Sequence, residues 1–428
     1  MSPGTRELAV FMEGKRAGTL AQDGPNLRFA YHPAYREDRT STPLSVSMPL
    51  AIATHPNRII RPWIAGLLPD NDQVLARWAR QFQVSATPFA LLGSQVGSDC
   101  AGAVQFIPLD RASEFDADQG SVEWLTDEDV GQRLRDLKSD ASSWLGVDFD
   151  GRFSLAGAQA KTALLLRDGQ WGIPSGAMAT THILKPAING LDEHDLNEHL
   201  CLRAAAVLGL PAARTSITSF ASERAVVVER YDRLAIDGVV DRIHQEDLCQ
   251  ALSVEPSQKY QSDGGPGPKD ISGLIRDVMS FEKANRTVRQ FADALIFNWA
   301  IGGTDAHAKN YSLLLHRGRI DLAPLYDVAS ALPYEVTEHK LRLAMKIGSD
   351  YYLNTQRPQL WGHMAAAIGV PVAQVRDRAG QILEAIPTAF TTACEDPDVR
   401  ELGSDLPDKL LNAVVNRAEE CLRAISAE

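Results

Sequence analysis

The order in which strand-like and helix-like patterns follow one another is what most constrains this chain. Up to about residue 235 the apolar residues come mostly in short runs separated by turn signals, and beyond residue 240 they recur at helical spacing. Residues 8–12 read as a strand closed by Glu13-Gly14, with 16–20 pairing back on it; 73–82 are helical and 101–108 a strand. An acidic stretch over 110–123 has the polarity of a linker or surface excursion. Thr126 to Asp129 then fits a capping box that opens a helix with Val130, Leu134 and Leu137 on one face. Residues 162–166, 170–173, 182–185 and 224–228 are β-like runs, interrupted by one helix over 195–209.

Val288, Phe291, Ala292, Leu295 and Trp299 mark an amphipathic helix stopping at Gly302-Gly303. A hairpin follows, 311–315 and 320–326 about an Arg317-Gly318-Arg319 turn. Helical patterns at 364–368, 372–386 and 409–425 make the last third all-α. The result is a mixed N-terminal segment, 1–110, a mainly strand segment, 111–237, and a helical segment, 238–428. This is an α/β class of the α+β kind.

The 428 residues suffice for two to four packing units. Five scattered cysteines, with no CxxC pair, suggest neither a zinc site nor a disulfide framework. No signal-peptide core opens the chain and no apolar run reaches membrane-spanning length, so a reduced, soluble, cytoplasmic protein is expected. A net charge of −12 argues against this chain gripping nucleic acid alone, because phosphate contacts need a clustered basic surface.

The chemistry concentrates in residues 302–327, GGTDAHAKNYSLLLHRGRIDLAPLYD. Asp305 and Asn310 sit in a loop between a helix and a hairpin, and Asp327 sits where that hairpin ends. Phosphoryl transfer uses this set: a carboxylate for the hydroxyl proton, and an amide oxygen and second carboxylate for Mg²⁺. Singly, Asp305 reads more simply as a helix-ending turn residue and Asp327 as a strand-end cap; the trio in this order is the signal. A rival reading makes Asp305, His307 and Asp327 metal ligands of a hydrolase, but no HExxH or second His cluster accompanies them.

A kinase also needs a cation for the phosphates. Lys185, closing the apolar run HILK, is the candidate, and Glu198 on the following helix its natural partner. Upstream, SLAGAQAKT over 154–162 has small residues that let backbone N–H groups approach a phosphate, although it is not GxGxxG.

These stretches, with Asn197-Glu198, ERYDR (229–233), QEDLC (245–249), KYQSDGGPGP (259–268), TDAHAKNYS (304–312) and LAPLYD (322–327), resemble the HipA-type serine/threonine kinase toxins. LLPDN (67–71) and GSDCAGAVQ (97–105) extend the resemblance through the N-terminal segment. The resemblance implies a protein-kinase-like two-lobed fold with an added N-terminal subdomain. It implies Asp305 as catalytic base, Asn310 and Asp327 as Mg²⁺ ligands, and Lys185 on the ATP phosphates. It further implies Ala156, Gly157, Ala158, Gln159 and Lys161 as the phosphate loop, and Glu229, Arg230 and Tyr231 as the adenine segment. His307 and Lys309 become nucleotide contacts, and Ser154 the autophosphorylation site whose modification ejects the loop.

The partners so implied are a helix-turn-helix, HipB-like antitoxin, operator DNA reached through it, and a protein substrate such as an aminoacyl-tRNA synthetase, whose phosphorylation halts translation and promotes dormancy. A catalytically silent corepressor bound to the antitoxin is the alternative, against which the intact Asp305, Asn310, Asp327 and Lys185 argue. Ala160 and Ala308 depart from the family pattern, where an acidic residue and glycine are common.

Overall fold

The computed structural model describes residues 6–115, 120–146, 152–236, 239–334, 341–353 and 358–426. The chain packs into two compact units, each assembled from several segments: 1–186, 218–257 and 313–321 in the first, and 187–217, 258–312 and 322–428 in the second.

In the first unit β1 (Arg6–Met12), β2 (Lys15–Asp23) and β3 (Asn26–Tyr31) form an antiparallel meander. β4 (Thr54–Pro56) and β5 (Val104–Pro108) complete a sheet of order β4-β3-β2-β1-β5. Alternation in β1 sends Leu8, Val10 and Met12 into the main core, while Ala9 and Phe11 meet Ile107 and Ala112 on the opposite face. The second sheet contains β6 (Val122–Leu125), β7 (Thr162–Arg167), β8 (Gln170–Pro174), β9 (His182–Lys185), β10 (Thr215–Phe220) and β11 (Glu223–Glu229), in the order β10-β11-β9-β7-β8-β6.

One apolar core runs from Leu8 to Val227, so the first two segments read from the sequence share a single interior. The capping box at Thr126 is present and opens the Asp127–Ser139 helix. The excursion expected over 110–123 is shorter than its polarity suggests. Val122 already pairs with Pro174 in β6, an edge strand that leaves Glu123 and Trp124 exposed, and residues 116–119 lie outside the described residues. A ribbon of β12 (Arg233–Ile236) and β13 (Val239–Arg242) leads into β14 (His244–Asp247), which heads a sheet with β15 (Ser312–His316) and β16 (Arg319–Leu322).

The second unit is mainly helical. The His194–Val207 helix, placed by the sequence reading with the strands, packs here against the Val372–Cys394 helix. Trp299 on the Phe281–Ile301 helix meets Trp361 edge-on at 4.7 Å, with the Arg417 guanidinium 5.5 Å from its ring. The all-α expectation for the last third needs one amendment: β17 (Arg342–Ile347) and β18 (Asp350–Tyr352) form a ribbon about Gly348. β17 reads RLAMKI, which is buried at three successive positions and built largely from helix-favouring residues, so it does not stand out from the surrounding helical periodicity.

Candidate active site

The loop that carries Asp305 begins where the Phe281–Ile301 helix must stop. Gly302 takes a φ of +67°, and a Cβ there would fall 2.8 Å from Leu332. The carbonyl of Asp305 then accepts the His307 N–H at 2.8 Å and the Asn310 Nδ2 at 2.7 Å. This closes a short turn over Ala308–Asn310 and fixes the orientation of the Asn310 amide. The Asp305 carboxylate remains 65% exposed, 3.9 Å from His307 Nε2, and its Oδ1 accepts the Tyr260 hydroxyl.

The hairpin returns as the sequence predicts. Ala323 N–H donates to Ser312 at 2.8 Å, and the Tyr326 hydroxyl donates to the carbonyl of Lys309 at 2.8 Å. The residue before Asp327 is thus bonded to the residue before Asn310. Leu325 pairs through its main chain with Pro211 and Ala213, and beyond Asp327 the Asn197 amide brackets Ser330, donating to its carbonyl at 2.8 Å and accepting its N–H at 3.0 Å. Between these anchors Asp327 adopts a φ of +57°, a left-handed backbone that costs a non-glycine residue about 1 kcal/mol or more. Asp305, Asn310, Asp327 and the residues that anchor them all belong to the second unit, whereas residues 313–321 of the hairpin belong to the first.

The residues assigned to ATP in the first unit are arranged by β9 and the segment before β7. Lys185 closes β9 opposite Val226 and is buried; Glu198 is buried in the other unit, on the His194–Val207 helix. The 154–161 segment is held at several points. The Ser154 hydroxyl donates to the Leu67 carbonyl at 2.9 Å and its N–H to the Asp99 carbonyl at 2.9 Å. Asp70 N–H donates to Gly157 at 2.9 Å, and Lys161 Nζ donates to Ala156 at 2.8 Å while lying 5.0 Å over the Trp144 ring. Gly157 has a φ of +107° and would place a Cβ 2.6 Å from that ammonium, so glycine is required. Gln159 Nε2 reaches the Pro186 carbonyl at 3.4 Å.

Glu229 pairs with His182 at the end of β11, and Arg230 N–H continues that ladder to the Thr181 carbonyl at 2.9 Å. The Arg230 side chain has a different task. With Arg233 and Arg242 it surrounds Asp99, at 3.3, 2.8 and 3.4 Å respectively, and Arg230 also bonds Asp232 at 2.9 Å. Burial pushes the Asp99 carboxyl up, but the three guanidiniums together outweigh it and hold the group below the usual carboxylate range. Tyr231 donates its hydroxyl to Gln245. The sequence reading singled out the stretches containing Asp99, Asp232, Asn197 and Tyr260 but gave these residues no role; GSDC, ERYDR and KYQSDGGPGP were the available signals.

Among the described residues no group of three or more His, Cys, Asp and Glu is disposed to hold a metal. No helix among them is long and apolar enough to cross a membrane.

A lysine closing a central strand in one unit, and a helix and loop carrying Asp305 and Asn310 with Asp327 in the other, belong to a protein-kinase-like fold. Residues 8–107 match the HipA N-terminal domain and 153–390 the HipA-like C-terminal domain, and the chain belongs to the HipA family. It is 37% identical over 418 residues to Y4mE, a protein of Sinorhizobium fredii that carries a kinase name, covering 97% of this chain and 98% of the relative. It is 30% identical over 401 residues to the serine/threonine-protein kinase toxin HipA of Shewanella oneidensis, covering 90% and 89%. A solved Shewanella oneidensis complex of HipA, HipB and operator DNA superposes with a TM-score of 0.82 at 25% identity, over 98% of this chain and 100% of that one.

Proposed function

We propose that this chain is an ATP- and Mg²⁺-dependent serine/threonine kinase acting as the toxin of a toxin–antitoxin pair. The observation that carries the reading is the closed loop from Asp305 through Asn310 to Tyr326, which delivers Asp327 at a strained backbone position. Asp305 orients a substrate hydroxyl and accepts its proton, which is positioning chemistry and needs no covalent intermediate. Asn310 and Asp327 offer the hard oxygen donors that suit Mg²⁺, and the tethered Asn310 amide fits that role. The metal, when bound, neutralises charge on the transferring group. Lys185 meets the ATP phosphates with Glu198 as its partner, the 156–161 loop with His307 and Lys309 supplies further contacts, and the main chain of Glu229 to Tyr231 holds the adenine.

In this reading Ser154 is the autophosphorylation site, and the substrate is a hydroxyl on a translation component such as an aminoacyl-tRNA synthetase. The 1–110 segment serves as an added subdomain, 111–237 as the nucleotide lobe and 238–428 as the catalytic lobe. The partner is a HipB-like helix-turn-helix antitoxin, which supplies the basic surface for operator DNA that a chain of net charge −12 lacks, in the cytoplasm.

The test is incubation of purified chain with labelled ATP and Mg²⁺, followed by phosphosite mapping in cells expressing wild type or Asp305→Asn. Asp305-dependent phosphorylation of Ser154 and of a protein substrate is expected. Its absence while antitoxin and operator binding persist would make the chain a silent corepressor and overturn the kinase reading.

A further inference from the structure

The segment before the Pro268–Val278 helix is built to deliver one side chain to Asp305. Gly264 takes a φ of +88°, and its N–H donates to Gln261 at 3.2 Å. Gly265 donates to the Tyr260 carbonyl at 3.0 Å, and a Cβ on it would lie 1.9 Å from the Gln258 oxygen. KYQSDGGPGP therefore folds back tightly on itself, and the segment is tied to the catalytic loop by the Ala308 N–H donating to the Lys259 carbonyl at 3.3 Å. A second tie reaches β17, where Lys346 N–H donates to Gln261 Oε1 at 2.8 Å.

The product of this folding is the Tyr260 ring, edge-on to the His307 imidazole at 4.9 Å and 87°, with its hydroxyl donating to Oδ1 of Asp305. A carboxylate 65% exposed in a loop has rotamer freedom that a base in phosphoryl transfer must lose. Tyr260 and His307 face the same oxygen, Oδ1.

Resting on the kinase reading, we infer that Tyr260 is a positioning residue for Asp305: its phenol fixes one carboxylate oxygen so that the carboxylate meets the substrate hydroxyl in one orientation. Gly264 and Gly265 permit the tight turn that carries that phenol.

The experiment compares wild type, Tyr260→Phe, Asp305→Asn and the double variant in steady-state phosphorylation of the mapped substrate, with thermal melting and ATP affinity measured in parallel. Tyr260→Phe keeps the ring and its contact with His307 and removes only the donor. Its kcat is expected to fall about tenfold, equivalent to about 1.4 kcal/mol of transition-state stabilisation, with KM for ATP and the melting temperature unchanged. In the Asp305→Asn background the same change is expected to add nothing further, because the two act as one unit. An active wild type with an unchanged kcat in Tyr260→Phe overturns the inference and leaves the kinase reading standing. A rise in kcat/KM also overturns it, marking Tyr260 as an occluding group. An inactive wild type overturns the kinase reading and the inference with it.

Discussion

The Ser154 hydroxyl donates to the carbonyl of Leu67 across 87 residues of sequence, at 2.9 Å and with Ser154 fully shielded from solvent. LLPDN and SLAGAQAKT, two motifs far apart in the chain, thus meet at the residue assigned to autophosphorylation. A phosphate adds about −1.5 to −2 charge, and putting that charge where a fully buried neutral hydroxyl now bonds a carbonyl carries a large desolvation cost. Phosphorylation of Ser154, or Ser154→Asp, is therefore expected to expel residues 154–161. Hydrogen exchange over that peptide should accelerate and ATP affinity should fall at least about tenfold, while Ser154→Ala stays docked at a cost of about 1 kcal/mol. Full protection of the peptide in Ser154→Asp would sink this account.

Asp99 is the anchor of the same segment and of the strand end beyond it. Its main-chain carbonyl holds Ser154, and its carboxylate accepts the Thr180 N–H and hydroxyl at 3.1 and 2.6 Å beside Arg230, Arg233 and Arg242. Asp99→Ala leaves buried guanidiniums with too little compensation, a change that costs about 3–5 kcal/mol where a buried pair is broken. Chemical denaturation should show that loss. An Asp99→Ala chain as stable as wild type would remove the cluster from any structural role.

Stability should also respond to pH through two buried residues of β14 that titrate in opposite senses. His244 donates Nε2–H to Leu44 at 2.9 Å and accepts the Ala103 N–H at Nδ1, so it is neutral, and burial lowers it to about 4. Its contribution is full above the ordinary histidine value of 6.5 and is lost as pH falls towards 4. Glu246 accepts N–H bonds from Val46 and Trp63 at 2.8 and 3.2 Å, yet burial raises it to about 7. Its contribution is full below 4.5 and is lost as pH rises through 7. Glu246→Gln sets an amide donor against one of those N–H groups and should destabilise the chain by about 1–3 kcal/mol. Because the variant no longer titrates, that deficit should shrink between pH 5 and pH 8 in urea denaturation. Parallel curves for the two proteins would refute the assignment.

Local signals explain what was legible in the sequence. The capping box at Thr126, the glycine stop at Gly302 and the Arg317-Gly318 turn each act within a few residues, so the elements around Lys185 and Asp305 were readable. The roles of Asp99, Glu246 and Tyr260 were not, because each depends on partners 45 or more residues away: Arg230, Trp63 and Asp305. A buried aspartate among arginines looks in sequence like any surface charge, and a glycine-rich stretch does not say which side chain it aims. The β17–β18 ribbon escaped for a different reason: RLAMKI lacks clean two-residue alternation and is built largely from helix-favouring residues.

Asp327 offers the sharpest separation of stability from function. Its φ of +57° is imposed by the bonds at Leu325 and Ser330 on either side, and it is a conformation that glycine adopts freely and asparagine tolerates. Asp327→Gly should therefore relieve the backbone strain and be more stable than Asp327→Ala by about 1 kcal/mol, while Asp327→Asn keeps the native tolerance of this backbone. All three remove the carboxylate proposed to hold Mg²⁺, and all three should lose kinase activity by about a hundredfold or more, with part of the loss in Asp327→Asn recovered at high Mg²⁺. From Asp327→Ala to Asp327→Gly the melting temperature would then rise while turnover stays lost, as expected where a strained backbone is kept for chemistry and not for folding. An Asp327→Gly chain that is active and no more stable than Asp327→Ala would contradict both halves of that assignment.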